Sequence, residues 1–265
     1  MGFLYGGNMK NIKIIYFDID GTLVDMKKKV ISQTMLDTLY KLKEKGIKIC
    51  IATGRPPFVV PKFDIEFDAY LTFNGSYCFQ KDKVLYHNPI PHEDVIKIIE
   101  NASKINRHVT IASNLDIDSN GYDIDLDDYF RIANQELYIK NKFNDLLEQD
   151  IYQMMIGGNQ QVYDQVLKNT KNAKATAWWN RAADIIPADG GKGKAVEKIN
   201  EYFGFTKEQS MAFGDGTNDI DMLQAVGLGV AMGNATQNVK DIADDICDSV
   251  ENEGITSYYK QLNLI

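Results

Sequence analysis

The sequence predicts an α/β fold: a doubly wound parallel-sheet, Rossmann-like core with an inserted α/β cap domain. Three observations support this. Apolar strand-like runs alternate with helical periodicity near both ends of the chain, the pattern that builds parallel sheets. Short acidic, hydroxyl-bearing or glycine-rich phrases stand where those runs stop, and doubly wound sheets hold ligands beyond the carboxyl ends of their strands. The texture changes between about Asp82 and Ile186, and the first style returns after Pro187. The expected division is therefore a core formed by residues 9–81 and 187–265, interrupted by a cap over 82–186. A chain of 265 residues, 44% of them hydrophobic, is long enough to bury two modest cores.

From Ile12 to Phe17 the sequence IKIIYF is almost continuously apolar and suits a strand buried on both faces. Ser32 to Lys45 follows with helical spacing of Met35, Leu36, Leu39 and Leu42, Ser32 or Thr34 as cap and Gly46 as stop. IKICIAT and DAYLTF read as the next two strands, and SYCFQ, KDK and VLYH as a hairpin. In the inserted stretch, helices are expected near Asp94 to Ile105 and Gln160 to Asn169, with strands at VTIAS, YQMMIGG and ATAWW; DIDLDD reads as a solvated loop rather than a metal site. Beyond Pro187 come a helix from Lys192 to Phe203, the strand SMAFG, a helix near Asp219 to Ala225 and the strand LGVAM.

A net charge of −8 argues against a surface built for nucleic acid or anionic lipid, so the expected partner is a small molecule. The three cysteines, Cys50, Cys78 and Cys247, are widely spaced and read as buried thiols rather than a disulfide framework or a zinc site. No run approaches the length of a membrane span, and a reducing cytoplasmic setting fits best. Residues 1–8 precede a second methionine, Met9, and read as a leader, a remnant of cloning or an upstream start. The sequence leaves the oligomeric state open.

Asp18-Ile19-Asp20-Gly21-Thr22 closes the first strand. Carboxylates at i and i+2 leave an extended backbone in similar directions, Gly21 permits a sharp turn, and Thr22 can hydrogen-bond an anion. One carboxylate can then attack phosphorus while its neighbour exchanges protons with the leaving oxygen and with water. On its own the phrase is equally well an acidic turn. Thr53-Gly54-Arg55 ends the second strand and offers a hydroxyl for a phosphoryl oxygen, although a plain strand-to-loop transition explains it alone. In Asp189-Gly190-Gly191-Lys192-Gly193-Lys194 lysines begin a helix, against the usual preference for acids there. A cation is tolerable at that position if it faces an anion; otherwise these are ordinary solvated lysines. Gly214-Asp215-Gly216-Thr217-Asn218-Asp219 follows an apolar strand; Asp215 with Asp18 suits magnesium, which takes a few carboxylates and keeps waters. Asn218 and Asp219 can orient waters or the lysine while also capping the following helix. His87, His92 and His108 lack metal-ligand spacing, and Trp178 and Trp179 read as packing aromatics.

Together, DIDGT, ATGRP, GGKGKA and GDGTNDIDML resemble, in order and placement, the motifs of the haloacid dehalogenase-like phosphatase superfamily. The continuation IDML, the phrase FNG after the third strand and the size of the insert resemble its Cof-type subgroup, which carries a large α/β cap. The resemblance covers the chain after Met9, the cap matching by size and position, and GGK replaces the commoner valine-serine-lysine wording. It implies a magnesium-dependent phosphatase for small phosphorylated metabolites, sugar phosphates foremost, with pyridoxal phosphate and flavin mononucleotide as further substrates. By the same resemblance Asp18 is the nucleophile, Asp20 the general acid and base, and Thr53, Gly54 and Lys192 hold the phosphoryl group. Asp18, Asp215 and the Asp20 backbone carbonyl bind magnesium, Asp219 and Asn218 support them, Asn74 contacts substrate, and Asn234 approaches the site. The cap is expected to close over the site, with Trp179, Asn180, Arg181 and Asp184 near substrate. A phosphomutase of the same superfamily and a catalytically inactive phosphosugar-binding protein are the alternatives.

Overall fold

The computed structural model describes residues 11–133, 135–262 and 265; the questions about residues 1–8 and about a core beginning at residue 9 lie outside the described residues. The chain divides into two compact units. One contains the described residues up to Thr53, Pro61–Tyr86 and the chain from Lys192 onward; the other contains Gly54–Val60 and His87–Gly191.

The first unit is built on an eight-stranded sheet. Its central strand β1, Ile14–Phe17, is buried at every position, as its unbroken apolar sequence requires. β2 (Lys48–Ala52) and β11 (Ser210–Gly214) flank it in parallel, with Phe17 level with both Ile51 and Phe213. β3 (Ala69–Thr72) continues the parallel sheet beyond β2, while β12 (Leu228–Ala231) and β13 (Asp245–Ile246) extend it beyond β11. β4 (Tyr77–Gln80) turns back antiparallel to β3, and β5 (Lys83–His87) closes that edge, so the expected hairpin is present. This register brings Asp18, Thr53 and Gly214 to one edge of the sheet despite their separation in sequence.

Helix α1 (Gln33–Glu44) starts at Ser32, whose Oγ accepts the Met35 amide at 3.0 Å, and buries Met35, Leu36, Leu39 and Leu42. Gly46 takes a φ of 75° after its last turn, the left-handed conformation that glycine adopts without strain. Helix α6 (Lys192–Phe203) buries Ala195, Val196 and Ile199 in the core that includes Ile14 and Tyr16 of β1. The Tyr16 hydroxyl donates to Asn200 Oδ1 at 2.8 Å, so the polar atom of an otherwise apolar strand is satisfied and fixes α6 against β1.

The second unit carries a five-stranded sheet in the order β7-β6-β8-β10-β9, namely Ile117–Ser119, Thr110–Ala112, Gln153–Gly157, Ala182–Pro187 and Ala173–Trp179. Its paired strands are antiparallel. Helices α2 (His92–Lys104) and α5 (Gln160–Val166) share a core with Ile111, Met154, Ile156, Ala183 and Ile185.

The reading of one acidic stretch changes. DIDLDD, expected as a loop, begins helix α3 (Ile124–Ile132): Asp123 is its cap, accepting the Leu126 amide at 2.9 Å, and Asp125 and Asp127 sit in its first turn. Acids are favourable at that positive helix end, and Arg107 and Arg181 both pair with Asp125. Trp178 packs edge-on against Tyr129 at 5.1 Å, whereas Trp179 is 40% exposed. No helix among the described residues is long and apolar enough to cross a membrane.

Cys50, Cys78 and Cys247 are free and buried, and burial raises all three thiol pKa values, that of Cys247 to about 12. Iodoacetamide in mildly alkaline buffer should leave the three unmodified in the native protein and alkylate all of them in urea, as read by intact mass. Rapid alkylation of Cys50 under native conditions would contradict this packing.

Candidate active site

Beyond the strand ends of the first unit, Asp18, Lys192, Asp215 and Asp219 come together. Asp18 leaves β1 with its amide bonded to the Phe213 carbonyl at 3.1 Å, and the residue is buried. Lys192, the first residue of α6, is fully buried and points its Nζ at Asp18 Oδ1, 2.7 Å away, and at Asp219 Oδ1, 2.5 Å away. This explains the lysine at a helix start: two carboxylates offset the unfavourable end of the helix dipole. Asp219 Oδ2 accepts the amides of Asp215 at 3.0 Å and Gly216 at 2.9 Å. Asp219 thus shapes the loop after β11 and anchors the lysine.

Asp215 stands across from this pair. Its Oδ1 accepts the Thr22 hydroxyl at 3.1 Å and its Oδ2 accepts Asn234 Nδ2 at 3.1 Å. Thr22, expected to meet an incoming anion, is therefore engaged with Asp215. Gly21 makes the approach possible: φ is 87°, and a Cβ built there would lie 2.2 Å from Asp215 Oδ2. Any side chain at position 21 would collide with the carboxylate beside it.

Asp20 is half-buried, near enough for its charge to act on both Asp18 and Asp215. Thr53 is buried and bonded through its amide to the Leu71 carbonyl at 2.8 Å, and the Asn74 amide donates back to the Thr53 carbonyl at 2.9 Å. Asn74 has a φ of 52°, a left-handed conformation that asparagine tolerates, and its Oδ1 accepts Asn218 Nδ2 at 2.9 Å. Gly54 is grouped with the second unit, where its carbonyl accepts Gln153 Nε2 at 3.2 Å. Within that second unit Asp184 is buried and accepts the Tyr129 hydroxyl at 2.5 Å, and Arg181 pairs with Asp125 and Asp128.

The electrostatics of the cluster are unbalanced. Burial raises the Asp18 carboxyl well above the usual range, and the charges of Asp219, Asp215 and Asp20 add to it, while Lys192 opposes the shift. Asp215 is pushed up to about 7, first by burial and then by the charge of Asp219. Burial alone would lower the Lys192 ammonium; Asp18 and Asp219 more than reverse that, and it is held above the ordinary lysine value. Carboxyl oxygens of Asp18, Asp215 and Asp219 lie within 4.8 Å of one another. An all-oxygen donor set of this kind fits a hard divalent cation. Asp219 uses one oxygen on Lys192 and the other on two amides, Asp215 uses its two on Thr22 and Asn234, and Asp18 Oδ1 is held by Lys192.

Sequence reasoning did not foresee that Asn234 would bond Asp215 and the Gly21 carbonyl at once. Its only signal was the phrase MGNA just past β12.

Comparison with known proteins shows the family. Residues 15–258 match the haloacid dehalogenase-like hydrolase family. The chain is 28% identical over 266 residues to the 5-amino-6-(5-phospho-D-ribitylamino)uracil phosphatase YitU of Bacillus subtilis, covering 94% of this chain and 96% of that one. The structure of BT1666 from Bacteroides thetaiotaomicron, a phosphatase of the haloalkanoate (HAD) superfamily, superposes with a TM-score of 0.89 at 30% identity, covering 96% of each chain. The subclass IIB sugar phosphatase BT4131 superposes with a TM-score of 0.86 at 29% identity, covering 96% of this chain and all (100%) of that one. Motifs, sheet order and the match across nearly the whole chain converge: this protein belongs to the family of haloacid dehalogenase-like hydrolases.

Proposed function

We propose that the protein is a magnesium-dependent phosphatase that hydrolyses small phosphate monoesters, sugar phosphates foremost, through a phosphorylated Asp18. The observation that carries this reading is the fully buried Lys192 ammonium held between Asp18 and Asp219 at the carboxyl edge of a parallel sheet. Burying a charge is unfavourable unless it is paired, and an anionic substrate gives this one a task beyond pairing. The substrate class draws support from two relatives: BT4131 is a sugar phosphatase, and YitU acts on a phosphoribityl compound.

In this reading Asp18 Oδ1 stays with Lys192, and Oδ2 attacks phosphorus as the phosphorus–oxygen ester bond breaks. Asp20, entering as the acid, gives its proton to the departing oxygen, so the product leaves as a neutral alcohol. The Asp20 carboxylate then takes a proton from water as the water oxygen attacks phosphorus. The bond to Asp18 breaks, inorganic phosphate leaves, and both aspartates return to their starting states. Thr53 and Lys192 hold phosphoryl oxygens, the Gly54 backbone adds to that cradle, and Asn74 and Asn218 orient the substrate. Asp18, Asp215 and the Asp20 carbonyl would hold magnesium, with Asp219 in support. When bound, the ion supplies the positive charge that four carboxylates and a phosphate require beyond one lysine. The second unit is the cap in this reading, and the cytoplasm the setting.

Three results are expected. Purified protein should release phosphate from a sugar-phosphate panel only with magnesium, and Asp18→Asn should lower turnover by roughly three orders of magnitude or more. Binding of sugar phosphates without release would instead favour the inactive alternative. Asp20→Asn should slow phosphorylation of the enzyme by alkyl phosphates far more than by p-nitrophenyl phosphate, whose leaving group needs no proton; equal losses in rapid-quench measurements would remove Asp20 as the acid. Lys192→Ala leaves two buried carboxylates unpaired and should destabilise the metal-free protein by about 3–5 kcal/mol in urea titrations. Wild-type stability in that variant would contradict the buried ion pair.

A further inference from the structure

We propose that Asn234 is the positioning residue that holds Asp215 in its metal-binding orientation, and so sets the affinity of the site for magnesium. The inference rests on the metal-dependent reading above and extends it to a residue outside the acidic cluster. Asn234 stands in the loop after β12 and joins three segments. Its Nδ2 donates to the Gly21 carbonyl at 2.8 Å and to Asp215 Oδ2 at 3.1 Å, while its Oδ1 accepts the Val250 amide at 3.0 Å.

These partners fix which way the amide faces. The Val250 N–H requires an acceptor at one end, and a carbonyl and a carboxylate require a donor at the other. Reversing the amide would set oxygen against two oxygens and nitrogen against an N–H. Asp215 therefore has one carboxylate oxygen held by Thr22 and the other by Asn234, both neutral donors. Neutral donors fix the plane of the carboxylate without cancelling its charge, which stays available to a cation. Lys192 does the opposite at Asp18 and Asp219, where it neutralises as well as orients. Because the same Nδ2 also holds the Gly21 carbonyl, Asn234 ties the Asp18–Thr22 loop to the Asp215 loop. Two carboxylates from different loops are thereby kept at one spacing before any ion arrives. Groups that orient a ligating carboxylate typically contribute about 10- to 100-fold to metal affinity.

The test measures magnesium binding to the substrate-free protein by titration calorimetry. Asn234→Ala should bind magnesium roughly 10- to 100-fold more weakly. Its turnover should recover at saturating magnesium, so that the metal KM changes and kcat changes little. Val250→Pro separates orientation of Asp215 from anchoring of the loop. It deletes the N–H that meets Asn234 Oδ1 but leaves the amide on Gly21 and Asp215. Position 250 opens a short 3₁₀ turn, where proline is tolerated, and Ser249 before it already has φ −68° and ψ 159°. Val250→Pro should bind magnesium as the wild type does. An Asn234→Ala protein with wild-type affinity, or a Val250→Pro protein as weakened as Asn234→Ala, overturns the inference. If the wild type takes up magnesium but Asp215→Asn binds it equally well, the metal site itself has been misassigned; if the wild type takes up none, the metal-dependent reading fails and this inference with it.

Discussion

A buried ammonium between two carboxylates is the constraint around which the first unit is arranged. Lys192 is fully buried, so it must be paired, and its two partners come from distant parts of the chain, Asp18 at the end of β1 and Asp219 in the loop after β11. For all three to meet, β1 and β11 must be neighbours in parallel register and α6 must start at that sheet edge. The pairing of Phe17 with Phe213 and the Tyr16 to Asn200 hydrogen bond meet those two conditions. Asp219 is then satisfied on its far side by the Asp215 and Gly216 amides, so the ion pair also dictates the course of the loop that carries Asp215.

Charge balance explains why such an arrangement suits phosphate chemistry. Asp18 and Asp219 hold Lys192, the charges of Asp20 and Asp215 act on Asp18 as well, and burial raises Asp18 and Asp215 above the usual carboxylate range. A surplus of negative charge of this kind favours the entry of a divalent cation, which in the proposed reading prepares the site for a dianionic substrate. Neutral donors, Thr22 and Asn234, hold Asp215 without spending its charge, and Gly21 leaves room for it.

Much of this was legible in the sequence because buried parallel strands are written as unbroken apolar runs, and chemistry follows at their ends. IKIIYF announced β1, SMAFG announced β11, and the lysine at the start of α6 stood out because it contradicts helix electrostatics. What stayed hidden depends on three-dimensional neighbours. DIDLDD looks like a solvated loop until Asp123 is seen to cap α3 and Arg107 and Arg181 to approach its acids. Thr22 looked free to bind an anion because its partner, Asp215, lies 193 residues away. β10, Ala182–Pro187, lacks the alternation of a half-exposed strand because it is buried at every position, and its Asp184 is accommodated by Tyr129.

Chemical trapping of the covalent intermediate tests the central claim most directly. Acid-quenched turnover mixtures, reduced with borohydride and mapped by peptide mass spectrometry, should carry the modification on Asp18 alone. A modification on Asp20 or Asp215, or steady turnover with no modified aspartate, would contradict the assignment of Asp18 as the nucleophile beside Lys192.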